Sequence, residues 1–182
     1  MNKTKLILIF LCMFGLSNAY ANQKLLDTVV LLWDSPCDET TILQIKDILK
    51  NDPTVDVNYT GGNGRVFSSL IAYTGSCGLS LIDDFLSRAE LDLNYRDPLT
   101  GGLLKTTMMY AFVTNELDAT MEILKKLASD PRIKSEICDE GFLHLRTAYP
   151  PAPGITCGFA KCIEIAKKSD VILNSSRTCG KP

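Results

Sequence analysis

Histidine and tryptophan are almost missing from this chain: 182 residues hold one of each, His144 and Trp33. A lone imidazole beside cysteines that never form a C-x-x-C argues against a zinc site. The G-x-S-x-G elbow, the H-E-x-x-H helix and the phosphate-binding loop are all missing, so no familiar catalytic motif is present. The run Gly61-Gly62-Asn63-Gly64 lacks the Lys-Ser/Thr that would follow it in a phosphate cradle, and reads as a flexible finger. No Lys/Arg cluster of the kind that neutralises phosphates occurs, which argues against nucleic acid. Long alternating runs are lacking too, so no extended sheet is expected.

The one long apolar run lies at the start. Lys3 and Lys5 precede an apolar stretch from Leu6 to Leu16, and Ala19-Tyr20-Ala21 has the small-x-small form of a signal-peptidase site. The run is shorter than the roughly 20 residues a membrane helix needs. We therefore expect residues 1–21 to be a cleaved signal peptide, with a mature, soluble chain from Asn22 and no stable membrane insertion. Export of this kind implies a periplasmic or secreted protein. Removing Lys3 and Lys5 leaves 17 basic against 21 acidic residues, a net of −4. Six cysteines remain: Cys37, Cys77, Cys138, Cys157, Cys162 and Cys179. An even number in an exported chain reads as a disulfide framework whose connectivity is open.

What the chain does contain is a repeated phrase. Val55-Asp56-Val57-Asn58-Tyr59 returns 36 residues later as Leu91-Asp92-Leu93-Asn94-Tyr95, and Asp170-Val171-Ile172-Leu173-Asn174 is a blurred third copy. Each follows an apolar-periodic helical stretch. The pattern predicts helices over Lys24–Trp33, Thr40–Lys50, Arg65–Tyr73, Ser80–Arg88, Thr106–Val113, Asp118–Ala128, Phe142–Ala148 and Phe159–Lys168. Breaks fall at Asp34-Ser35-Pro36, Asn51-Asp52-Pro53, Gly75-Ser76-Cys77-Gly78 and Ser129-Asp130-Pro131. Four helix–turn–helix units result, near residues 24–58, 59–94, 95–136 and 137–174, with a short tail after them. Self-similarity at such a period is the mark of a stacked-repeat protein. The expected class is an all-α solenoid, usually a binding surface.

These units resemble the ankyrin repeats. Thr106-Thr107-Met108-Met109-Tyr110-Ala111 stands where that family has T-P-L-x-x-A, Gly141 to Ala148 keeps its glycine-to-alanine spacing, and Asp56-Val57-Asn58 and Asp92-Leu93-Asn94 match D-V-N. The resemblance implies pairings between neighbouring units, Cys37 with Cys77 and Cys138 with Cys179, leaving Cys157 for Cys162. It also implies a protein partner held by loop fingers and first helices. On that mapping the contact residues are Tyr59, Arg65, Tyr95, Arg96 and Asp97. The competing reading is that both tyrosines pack under their loops. No catalytic residue, metal or cofactor is expected, and the chain alone should be a monomer. His144 reads as a packed side chain, and Asp83-Asp84 and Asp38-Glu39 as helix-start acids. Three alternatives stay open: a small secreted enzyme using carboxylates or a cysteine, an effector acting on a host target, and a purely structural helical domain with no dedicated partner. Immunity, accessory and effector roles all fit the class.

Overall fold

The computed structural model describes residues 19–32, 37–62, 64–73, 75–98, 100–113, 116–147 and 159–180. Most of the expected signal peptide, Trp33 with the 34–36 break, Asn63, the Tyr149–Gly154 insertion and Cys157 lie outside them.

The described chain is mostly helical. Helix α1 covers residues 19–31 and α2 is Glu39–Asn51. The hairpin of β1 (Thr60–Gly61) and β2 (Gly64–Arg65) leads into α3 (Val66–Tyr73) and α4 (Gly75–Leu86). A second hairpin, β3 (Arg96–Asp97) and β4 (Gly101–Gly102), leads into α5 (Leu103–Val113) and α6 (Leu117–Ser129). Helices α7 (Ser135–Thr147) and α8 (Phe159–Ser175) close the fold. Packing arranges the helices in two rows. Helix α5 lies between α3 and α7, while α2, α4, α6 and α8 follow one another in a second row. Each row hides the apolar stripe of the other, and one core runs from Leu25 to Cys179.

Local chemistry sets the helix ends. Asp38 caps α2, accepting from the Thr41 amide at 2.9 Å and its hydroxyl at 2.7 Å. Proline after Asp52 and after Asp130 stops α2 and α6. The expected break at Gly75–Gly78 is instead the first turn of α4. Gly75 has φ +46°, a backbone that glycine adopts without strain, and it sits against the Glu116 carboxylate. Glu116 also accepts the Ser76 amide, so α4 starts on an acid from the next helix pair.

Two further boundaries differ from expectation. Helix α7 starts at Ser135 rather than Phe142 and runs through Gly141, which faces Leu173, Met108 and Leu104. The unit boundary placed at Glu136 therefore falls inside a helix. Helix α8 extends to Ser175 and absorbs Asp170–Asn174, so the third copy of the phrase is helical and only two copies form turns. Leu173, fully buried, explains this: its position continues the buried stripe of Cys162, Ile165 and Ser169.

One described disulfide joins neighbouring helix pairs and the other closes the last pair. Cys37, just before α2, bonds Cys77 in the first turn of α4, with Cα atoms 5.2 Å apart. Cys138 in the first turn of α7 bonds Cys179 in the tail, at 5.3 Å. Both match the residues paired by the repeat scheme, but the second bond lies within the last helix pair instead of between two units, because α7 begins at Ser135 and takes in Cys138. Cys162 is disulfide-bonded as well, and its expected partner, Cys157, falls outside the described residues. Such bonds belong to an oxidising compartment. No helix among the described residues is long and apolar enough to cross a membrane.

Candidate partner-binding face

The repeated phrase is a connector between units. In each copy the aspartate closes its own turn: Asp56 Oδ1 accepts the Asn58 amide at 2.8 Å, and Asp92 Oδ1 accepts the Asn94 amide at 2.9 Å. The next residue is apolar and fully buried, Val57 or Leu93. The asparagine then reaches the following unit with both ends of its amide. Asn58 donates from Nδ2 to the Glu90 carbonyl at 2.7 Å and accepts the Asp92 amide at 2.8 Å. Asn94 does the same with the Arg132 carbonyl (2.8 Å) and the Lys134 amide (2.7 Å). A carboxylate could not donate and an ammonium could not accept, so the position demands a side-chain amide.

Inspection of the phrase alone missed a third member. Asn22, on α1, lies 36 residues before Asn58 and accepts the Asp56 amide at 2.7 Å. The signal was the constant step, hidden because no D-x-N-Y surrounds Asn22. Arginines reinforce the same edge. Arg88 donates to the Leu49 and Val55 carbonyls, and Arg132 to those of Leu86 and Arg88, each at 2.8–3.2 Å. Arg132 also grips Asp130, which holds that carboxyl below its usual range and raises the guanidinium's own proton affinity.

With that edge in place the fingers project beside the first-row helices. The five expected contact residues fare differently there. Arg65 is only 5% exposed, which removes it from any contact face. Its guanidinium donates to Asn58 Oδ1 at 2.6 Å, lies 3.6 Å from Asp92 and stacks 4.1 Å from the centre of the Tyr95 ring. Tyr95 thus packs as a platform between the fingers. Half-buried Tyr59 donates its hydroxyl to Gln23 on α1 at 2.8 Å. Both tyrosines are half-buried and engaged within the chain. Asp97 accepts the Thr100 amide at 3.0 Å and closes its own hairpin.

Arg96 is the exception. Its side chain, 57% exposed, leans on α7, with Nε 3.4 Å from Glu140 and Nη2 donating to the Glu136 carbonyl at 3.4 Å. Residues 136, 140 and 143 share one face of α7, so the 60% exposed Leu143 continues the line. Lys105 lies 4.0 Å from Glu140, which also accepts the Gly102 amide at 3.1 Å and caps the start of α5. Half-buried His144 follows one turn after Glu140. Burial lowers its proton affinity, Lys105 lowers it further and Glu140 opposes both.

Groups that could serve chemistry are engaged elsewhere. Asp83 pairs with Lys126 at 2.8 Å, Asp84 lies 3.6 Å from Lys46, and Asp38 is a helix cap. The described cysteines are all in disulfides. Among the described residues no group of three His, Cys, Asp or Glu is placed to hold a metal.

No family model matches the chain, and neither the curated proteins nor the solved structures contain a match.

Proposed function

We propose that the chain is an exported, ankyrin-like repeat module, periplasmic or secreted, that binds a protein partner on the face formed by its fingers and first-row helices. The observation that carries this reading is the exposed line from Arg96 along α7 to Leu143, a directed cation beside an apolar side chain. Arginine with a neighbouring apolar contact is the chemistry of an interface anchor. The Cys138–Cys179 disulfide ties α7, which carries that line, to the tail, which lowers the ordering cost of binding. Arg96 and Leu143 are the anchors, Lys105 and Glu140 set the charge around them, and Tyr59, Arg65, Tyr95 and Asp97 support the fingers from within.

Affinity capture with oxidised protein from Asn22 onward tests the reading, with calorimetry on the recovered partner. Arg96→Ala and Leu143→Ala should each weaken binding by at least about tenfold. Lys50→Ala, on the second row, should leave affinity unchanged. Equal affinity for all three variants, or loss only in Lys50→Ala, would show the face to be elsewhere.

A further inference from the structure

The three disulfide-bonded sites differ in access. Cys138, Cys162 and Cys179 are buried, at 3, 1 and 6% exposure, and so is Cys77 at 4%. Cys37 alone among the described cysteines is exposed. It also has φ +26°, the left-handed region, as the single non-glycine residue of the described chain found there. The backbone at Cys37 is therefore held away from its preferred conformation. We propose that Cys37–Cys77 is a thiol-addressable latch on the first helix pair, opened by a dithiol while Cys138–Cys179 stays closed.

The exchange balances as follows. A thiolate of the dithiol attacks the exposed Cys37 sulfur and forms a mixed disulfide. The electron pair of the Cys37–Cys77 bond leaves on Cys77 sulfur, which takes a proton from water. The second thiol of the reductant then attacks its own sulfur in the mixed disulfide and releases Cys37 as thiolate. The protein disulfide is reduced and the dithiol becomes a cyclic disulfide. Direction of attack follows from burial, since Cys77 is shielded and Cys37 is not.

Opening the latch reaches the finger. With the bond gone, α2 keeps its packing on α4, the two Arg88 bonds and the exposed Lys46–Asp84 pair. Helix α1 supports finger one through Gln23 and Tyr59. A loosened first pair therefore loosens the first finger. The tail at Cys179 differs, because Ser176 and Thr178 also donate to the Ala128 and Asp130 carbonyls. None of this depends on the face binding a partner.

The test is stepwise reduction of the oxidised protein with dithiothreitol, trapping with N-ethylmaleimide and peptide mapping. Cys37 and Cys77 should be labelled at least about tenfold faster than Cys138, Cys162 and Cys179. Labelling of Cys138 and Cys179 first, or at the same rate, overturns the proposal. Hydrogen exchange of the half-reduced protein supplies the second arm. Amides over residues 19–61 should exchange at least about tenfold faster, with residues 116–147 unchanged, and the Cys37→Ser/Cys77→Ser variant should show the same pattern without reductant. Unchanged exchange over 19–61 in both samples also overturns it.

Discussion

The two ends of the stack carry described disulfides in addition to hydrogen bonds of the kind that join its centre. The first pair is joined to the second by Cys37–Cys77, and the last pair is closed by Cys138–Cys179. Between the second and third pairs no described disulfide exists. That junction carries both bonds of Asn94, the reach of Arg132 to two carbonyls, the Lys126–Asp83 pair and the Glu116 cap on α4. A helix pair in the middle of the rows has neighbours on both sides, and its interfaces add up. A terminal unit has one neighbour, so a covalent bond there offsets the missing interface. Covalent closure at the ends adds to the hydrogen bonds that also join the centre.

The largest expected break in this contrast is at the tail. Cys138→Ser should cost about 3 kcal/mol in urea unfolding, with the loss concentrated in α7 and α8 by hydrogen exchange. A central substitution should cost less but spread further. Asn94→Ala removes two hydrogen bonds between units and should cost about 2 kcal/mol, with faster exchange on both sides of the junction. Asn22→Ala removes one such bond at the end of the ladder and should cost about 1 kcal/mol. If Asn22→Ala matched Asn94→Ala, position in the stack would not govern the effect.

The smallest effect concerns pH. Asp130 and Asp52 occupy the same place after α6 and α2, and both carboxyls titrate below their usual range. The Arg132 guanidinium is the main cause for Asp130, and the Thr54 hydroxyl for Asp52. A depressed carboxyl stabilises the fold above the ordinary aspartate range, and that contribution is lost as pH falls through its lowered native value. Asp130→Asn should therefore flatten the acid limb of stability below about pH 5, by under about 1 kcal/mol, leaving the neutral-pH curve shape intact. Urea midpoints across that range check it.

How much of this was legible depends on the reach of each signal. Helices α2 and α6 were readable because a stripe of buried residues ends at Asp-Pro, a signal within one turn. The pairing of Cys37 with Cys77 followed from repeat register. Where α7 and α8 begin and end was not legible, since a glycine inside α7 reads as a break until its packing on α5 and α8 is seen, and Leu173 is drawn into the helix by a core that sequence does not display. The candidate face was read only in part. Arg65 looked like a contact residue because arginine is common at interfaces. Its burial is set by Asn58 and Tyr95, residues 7 and 30 positions away, one of them in the next unit. Arg96 kept its exposure, and Leu143 emerged only once α7 was seen to begin at Ser135.

The asparagine ladder also makes one period of the chain an interchangeable cassette. Asn22, Asn58 and Asn94 recur at a step of 36 and each binds backbone groups of the following unit. Excising residues 59–94 would set Asn58 directly before Tyr95, facing Arg132 and Lys134 as Asn94 now does. The shortened chain would lose Cys77 and leave Cys37 unmatched, so a second replacement at Cys37 would have to accompany the cut. The same arithmetic lets the stack lengthen by duplicating that segment, with the new asparagine taking up the next rung.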